Sequence, residues 1–351
     1  MHQTATPPSH HAPSLRTVLA HDADELASKL TNWQQRYDQV SAGRFSGALT
    51  ERQLPQLQVF RESLSQAVRQ SCRVWPDAIW FGLPDHDTAT RINGRQAADN
   101  TLMVRPGDVE FELVTPSAYS IYGIVASRQL LEDAAQRHGC RIDWQQVQAA
   151  EVLQVDASAR AACLRTLSAA LPPGAAHAVD GAAAADAGVV APGAGRLPAG
   201  AGASGDAGDA WQDDVLSSLL DLLDRSCGEP VASPSLQRRR RVVEHVRAYI
   251  DAHMADHAAL TVPLLCQQVH VSRRTLQYCF EDVLGMSPLL YMRMMRLNGA
   301  RRALLDQGAG RAAIGDVADA WGMSNFSQFS SDYRKLFGEC PSAAMRARRT
   351  Q

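Results

Sequence analysis

Val317-Ala318-Asp319-Ala320-Trp321-Gly322-Met323-Ser324 repeats, 52 residues on, the character of Leu265-Cys266-Gln267-Gln268-Val269-His270-Val271-Ser272. Beyond each octet, Leu276, Phe280, Leu284-Gly285 and Pro288 recur as Phe329, Tyr333, Phe337-Gly338 and Pro341, at an offset of 53. The second copy therefore carries one extra residue in its turn or early second helix. So long a matched series marks a duplicated unit, and the apolar spacing in each copy is helical.

Each copy follows the logic of a helix-turn-helix. In the first, Thr261 is a good N-cap and Pro263 is tolerated in the opening turn. Val262, Leu265, Cys266 and Val269 supply the inner face. Position 266 calls for a small side chain because the next helix crosses closely there, and Ala318 fills that role in the second copy. The turns are His270-Val271-Ser272 and Gly322-Met323-Ser324, where Gly322 takes positive φ without strain. Ser272 and Ser324 are expected to cap the following helices.

With Leu276, Phe280, Phe329 and Tyr333 turned inward, the opposite faces point out. On the first helix they carry Arg273, Arg274, Gln277, Tyr278 and Glu281. Arg and Gln pair bidentately with guanine and adenine edges in a major groove. On the second helix they carry Asn325, Ser327, Gln328 and Ser331, shorter and uncharged, which suit positioning and phosphate contact more than base discrimination. Between the units, Ser287 and Pro288 open a helix expected to run to about Leu305 and to end at Gly308 and Gly310. At about 1.5 Å per residue this rod spans roughly 27 Å, which places two recognition helices near one turn of duplex apart. Arg293, Arg296, Arg301 and Arg302 lie along the rod, available to phosphate or solvent. The run Arg238–Arg241 upstream is open between phosphate contact and a solvated face.

Charge agrees with this division. From Ser235 onward stand 17 of the 35 basic and 10 of the 37 acidic residues, a net of +7, against −9 for the remainder. A basic tail on an acidic body implies that one end meets phosphates. The seven cysteines are scattered without a CxxC pair, so a disulfide framework or zinc site is not expected. No run of about 18 apolar residues suggests a membrane span. The Pro-, His- and Ser-rich start, which includes His10 and His11, reads as a disordered leader rather than a signal peptide.

Trp321 to Pro341 resembles the signature of the AraC/XylS family of bacterial regulators, and the resemblance extends over about Arg241 to Met345. It implies promoter DNA and RNA polymerase as partners, in the cytoplasm. It also implies base-contacting positions at Arg274, Gln277 and Tyr278 and at Ser327, Gln328 and Ser331. Ser331 stands where members often carry Arg, which implies weaker reading by the second unit.

The expected architecture is α+β. A disordered leader spans 1–20 and a sensor domain 21–140. A helical connector covers 141–234, with an Ala/Gly-rich disordered insert at 172–210, and the all-helical DNA-binding domain covers 235–351. Strand-like runs at 45–49, 56–61, 78–83, 101–104, 110–114 and 119–126 suggest a small β-barrel or jelly roll. A turn at Arg105-Pro106-Gly107-Asp108 is expected, with Gly107 taking positive φ. The spacing resembles the cupin-like sensor domains of the same regulators. An enzymatic cupin would need several His and a carboxylate on neighbouring strands; this region offers only His86, so neither a metal site nor catalysis is expected.

Trp75, Trp80, Phe81 and Tyr119 are candidates for an effector pocket or for plain core. Glu110 and Glu112 face a cationic amine or solvent. The stripe around Leu219 either pairs two chains into a homodimer or packs on its own barrel, with pairing favoured. Two segments, Leu30 to Gln39 and Gln58 to Pro84, resemble the ethanolamine-utilisation regulators within the family. That resemblance implies an activator responding to ethanolamine together with adenosylcobalamin. The alternatives are a regulator of another small-molecule pathway and a ligand-independent interaction protein.

Overall fold

The computed structural model describes residues 15–86, 89–97, 99–171, 206–228, 233–254, 260–305 and 313–347. Residues 1–14 of the expected leader (1–20), residues 172–205 of the expected insert (172–210) and the helix stop at Gly308 and Gly310 lie outside the described residues. Residues 15–20 form a strand and 206–210 open a helix instead of the disorder expected there. Among the described residues no helix is long and apolar enough to cross a membrane.

The N-terminal half begins β1 (Leu15–Ala20), α1 (Ala23–Ala27), β2 (Gln34–Gln39), β3 (Gly47–Gln53), β4 (Leu57–Leu64), β5 (Val68–Arg73) and β6 (Ala78–Pro84). It continues β7 (Arg91–Ile92), β8 (Arg95–Gln96), β9 (Thr101–Pro106), β10 (Phe111–Thr115), β11 (Tyr119–Ser127) and α2 (Arg128–His138). Then come α3 (Trp144–Ala149), β12 (Val152–Gln154), α4 (Ala157–Ala170), α5 (Asp206–Asp224) and β13 (Cys227–Gly228).

These strands make two antiparallel sheets. The larger has eight strands in the order β1-β3-β4-β11-β6-β9-β12-β13, and the smaller has five in the order β2-β5-β10-β7-β8. No strand pairing joins the two among the described residues, so the expected closed barrel is instead a sandwich with open edges. The helix α1, which connects β1 of one sheet to β2 of the other, packs against β1, β2 and β3 and buries Leu26. The sheet domain also reaches beyond 21–140, since β1, β12 and β13 complete the large sheet.

The large sheet is covered on both faces. Trp80, Met103, Tyr119 and Val125 face the small sheet, while Ile79, Phe81, Val104 and Ile124 pack beneath α2, α4 and α5. That is why β6 is buried along its whole length and reads as a continuous apolar run rather than an alternation. In the 105–108 turn it is Asp108, not Gly107, that takes positive φ, at 58°. Gly107 is required for space: a Cβ there would lie 2.1 Å from the Trp75 carbonyl oxygen.

The C-terminal half is helical throughout its described residues: α6 (Pro234–Ala252), α7 (Val262–Gln268), α8 (Arg273–Leu284), α9 (Pro288–Leu305), α10 (Ile314–Ala320), α11 (Phe326–Phe337) and α12 (Pro341–Ala347). Val246, Leu265, Phe280, Tyr291, Phe329 and Tyr333 belong to its single core.

The Leu219 stripe corrects an expectation. Val215, Leu216, Leu219, Leu220 and Leu222 are all fully buried against the large sheet and α4, so this face is not available to pair two chains. The amphipathic pattern records burial without recording against what. Leu219→Ala should therefore cost about 2–5 kcal/mol of stability, the range for a buried Leu truncated in a core. Urea denaturation of the full chain checks this, and a loss below about 0.5 kcal/mol would place the stripe on a surface.

Candidate functional site

The two helix-turn-helix units are built by local chemistry. Thr261 caps α7, its hydroxyl accepting from the Leu264 N–H at 3.4 Å. The chain then turns through His270 at φ 52°, and Ser272 accepts from the Thr275 N–H at 3.1 Å to open α8. In the second unit Gly322 turns at φ 85°. The cap of α11 is Asn325, accepting from the Gln328 N–H at 3.0 Å, rather than Ser324. The extra residue of the second copy thus lies in its turn. Gly285 and Gly338 close the two helices in the left-handed conformation.

Every side chain assigned to DNA contact stands on the outer face of its unit. Arg273, Arg274, Tyr278, Ser327, Gln328 and Ser331 are exposed and Gln277 is half-buried. Arg274 is pre-set: its guanidinium lies 5.4 Å over the Tyr278 ring and donates to the Tyr278 hydroxyl at 2.9 Å. Gln277 donates to Glu281 at 2.6 Å, and Gln328 to Asp332 at 2.8 Å. Aligned on their caps, Arg273 and Phe326 are equivalent, as are Arg274 and Ser327, and Tyr278 and Ser331. Phe326 is 50 % exposed and joins the outward face, a residue the apolar spacing alone does not point to. The one-residue shift in the repeat is the signal that would have found it.

The opposite face of the module meets the small sheet. Asn298 of α9 accepts from the Gln39 N–H and donates to the Gln39 carbonyl, both at 2.9 Å. Gln39 also donates to the Leu336 carbonyl at 2.7 Å. Arg301 binds Asp22 and, at 2.8 Å, Glu339; Arg302 binds Asp38 and, at 3.2 Å, Asp24. Arg247 of α6 reaches Glu112 at 2.8 Å and Arg240 reaches Glu151 at 2.8 Å. Arg301 and Arg302 are therefore committed to the sheet domain and not available to phosphate, and Arg293 pairs with Asp332. Glu112 is likewise no solvated strand residue: it is buried between Arg69, at 2.5 Å, and Arg247. Burial holds its carboxyl above the usual range although Arg69 opposes that shift. Glu110 stays exposed. Where the halves part, a cleft of about 800 Å³ opens between α1 and the C-terminal parts of α9 and α11.

The sandwich interior holds a second cluster. Trp80 stacks on Phe111 with centroids 4.8 Å apart, and Trp33 stands edge-on to Trp80 at 6.2 Å and to Phe60 at 5.6 Å. Beside them Glu62 is buried, accepting from the Tyr37 hydroxyl at 2.8 Å and from Gln70 at 3.1 Å. Of the four effector candidates, Trp80, Tyr119 and the half-buried Trp75 join this cluster. Phe81 does not: one residue along β6 from Trp80, it faces the helices on the other side of the sheet. Among the described residues no group of three or more His, Cys, Asp or Glu is placed to hold a metal ion.

Burial pushes the Glu62 carboxyl up to about 7, against the pull of its two hydrogen bonds. The folded chain therefore binds this proton more tightly than the unfolded chain does. Glu62 favours folding most below pH about 4.5, and this contribution is lost as pH rises to about 7. Glu62→Gln should remove on the order of 3 kcal/mol of that decline and make the chain more stable than wild type above pH 7. Urea denaturation of both proteins across this range checks it, and parallel curves would rule it out.

Comparison with known proteins meets the C-terminal half. A family model described as a helix-turn-helix domain matches residues 265–347. The "Probable thc operon regulatory protein" of Rhodococcus erythropolis is 32% identical over 98 residues, covering 28% of this chain and 29% of that protein. A "XylDLEGF operon transcriptional activator" of Pseudomonas putida is 26% identical over 132 residues, 38% of this chain and 39% of that protein. The chain thus spans well under half the length of these relatives. A solved structure described as a probable AraC family transcriptional regulator from Rhodopseudomonas palustris is 30% identical, with a TM-score of 0.29, covering 31% of this chain and 97% of that one. The solved DNA-binding domain of AdpA in complex with a target DNA is 25% identical, with a TM-score of 0.28, covering 31% of this chain and 93% of that one. The C-terminal module is a helix-turn-helix domain of the AraC type, with homologues among the AraC/XylS regulators.

Proposed function

We propose that the chain is a sequence-specific DNA-binding transcription regulator, an activator whose sheet domain senses a small molecule. One observation carries this reading: two capped recognition helices present α8 and α11 outward, on the face that the sheet domain leaves uncovered. The first unit supplies Arg273, Arg274 and Gln277 for hydrogen-bonded reading of base edges, and the second supplies shorter groups that fix register. The names of the relatives, an operon regulatory protein and an operon activator, agree with the reading.

The small sheet provides a route from effector to DNA. Consecutive residues of a strand point to opposite faces. Tyr37, Gln70 and Phe111 line the interior, while their neighbours Asp38, Arg69 and Glu112 grip α9 and α6. A ligand that draws Tyr37 from Glu62 shifts Asp38 and with it Arg302. Such a ligand changes DNA binding only through unequal affinity for the two arrangements.

The effector proposed is ethanolamine, on the resemblance of Leu30 to Gln39 and Gln58 to Pro84. Aromatic faces beside a buried carboxylate suit a small ammonium ion. The same interior does not fit adenosylcobalamin, whose ring system exceeds the space between sheets packed about 10 Å apart. The switch described needs only the amine.

Two experiments test these readings. Footprinting of the full chain on the control region beside its gene should show protection over two neighbouring major grooves. On that site Arg274→Ala should cost about 1–3 kcal/mol and relax the preference at one base; an equal loss on every sequence would make Arg274 a phosphate contact. For the effector, ethanolamine at a hundredfold excess over its Kd should raise the melting temperature of the full chain by about 5–10 °C. Adenosylcobalamin is added alone and together with the amine. No shift in any mixture removes ethanolamine as effector, and a shift with another metabolite would assign the chain to a different pathway.

A further inference from the structure

Phe326 is the first residue of α11, directly after the Asn325 cap, and half its surface is exposed. An extension of the core does not explain it. Phe329 and Tyr333, next along the same helical stripe, are 1 % and 0 % exposed, so the core closes without it. The Phe326 ring leans on Phe329 at a centroid distance of 6.2 Å and leaves its outer half in water.

Its place in the unit is informative. Aligned on the caps, Phe326 stands where the first unit has Arg273. The first residues of a recognition helix are those that meet base edges when the helix enters a major groove. The rest of the outward set here is poor in donors. Ser327 and Ser331 are short, and the Gln328 amide is tied to Asp332 at 2.8 Å. A phenyl ring has no hydrogen bond to offer a base. In the major groove the one apolar mark on a base pair is the 5-methyl group of thymine, and apolar side chains read it by contact.

We propose that Phe326 is the base-reading side chain of the second unit and that it selects a 5-methylated pyrimidine, thymine in an ordinary duplex, through the methyl group. Docking takes the exposed half of the ring out of water, and a pyrimidine without the methyl leaves a gap against it. This rests on the reading that the module binds DNA.

The test uses the full chain. Duplexes are selected from a random pool by wild type, Phe326→Ala and Phe326→Ser. Each thymine of the wild-type motif is then replaced singly by deoxyuridine, which lacks only the methyl. Wild type should show a thymine column in one half of its motif, and uracil there should weaken binding about fourfold, the equivalent of one buried methyl-sized group. The two variants should lose that column, keep the other half of the motif and bind thymine and uracil equally. The retained half shows that the variants are folded. A motif unchanged in the variants, or uracil tolerated by wild type at every thymine, overturns the assignment while DNA binding stands. Failure of wild type to enrich any duplex overturns both.

Discussion

Charge buried between the two halves of the chain fixes how they meet. Asp38, Arg69 and Glu112 lie on neighbouring strands of the small sheet and are 0 %, 2 % and 7 % exposed. Each has given up most of its hydration, which is tolerable only with a partner of opposite sign and good geometry. Arg69 serves both carboxylates from within the sheet. The balance comes from the other half, through Arg302 to Asp38 and Arg247 to Glu112. Apolar surfaces can slide across one another at modest cost, whereas a slide here would strand a carboxylate. Breaking such a pair by removing one member costs about 3–5 kcal/mol, so the charged face selects one register between the halves.

That register turns the sheet domain into a brace behind both helix-turn-helix units. The first unit is touched near the end of α8, where a Cβ on Gly94 would lie 2.5 Å from the Val283 side chain. The second is touched near the end of α11, where the Gly43 N–H donates to the Leu336 carbonyl at 3.0 Å. Between these points runs α9, held by Asn298. B-form DNA offers successive major grooves about 34 Å apart, a spacing that two hinged units would meet only part of the time. On the proposed reading, a brace anchored near both recognition helices would convert movement within the small sheet into a change in how well they match the groove spacing.

The same charged face explains what the sequence hides. The C-terminal half is legible because its rules are local: helical spacing, capping residues and glycine at the turns act within a few positions. The cap of α11 falls on Asn325 rather than Ser324 because two side chains of similar capping chemistry adjoin where the repeat gains a residue. In the sheet domain, β6 and β11 announce themselves with apolar runs. β2, Gln34-Gln-Arg-Tyr-Asp-Gln39, and β5, Val68-Arg-Gln-Ser-Cys-Arg73, do not. β2 has Tyr37 as its one aromatic among polar residues, and β5 turns just Val68 and Cys72 into the core, because the inner face also lines the Glu62 cluster and the outer face grips the helical half. A strand buried by pairing charges leaves no alternation of apolar residues to read. Glu62, Asp38 and Arg302 were legible as residue types, but their meeting depends on strand register and domain contact, which no short stretch encodes.

The two units differ in chemistry, and their linkage makes the difference workable. On the proposed reading Arg273, Arg274 and Gln277 give the first unit donors that draw it to a duplex, while the first turns of α11 carry no outward charge and its exposed cations, Arg334 and Lys335, stand in the last turn. Independent, the second unit would bind weakly. Joined through α9 and braced from behind, it meets the next groove at the high local concentration set by the first contact. Under that condition one apolar ring, Phe326, and short polar neighbours suffice, since the task proposed for them is to reject a wrong neighbouring sequence rather than to hold the protein on DNA. The selectivity of the second unit then depends on the brace. On the proposed reading, a shift of the small sheet would leave the first unit in its groove and take the second out of its own, so the effector proposed above would alter which sites are occupied without abolishing attraction to DNA.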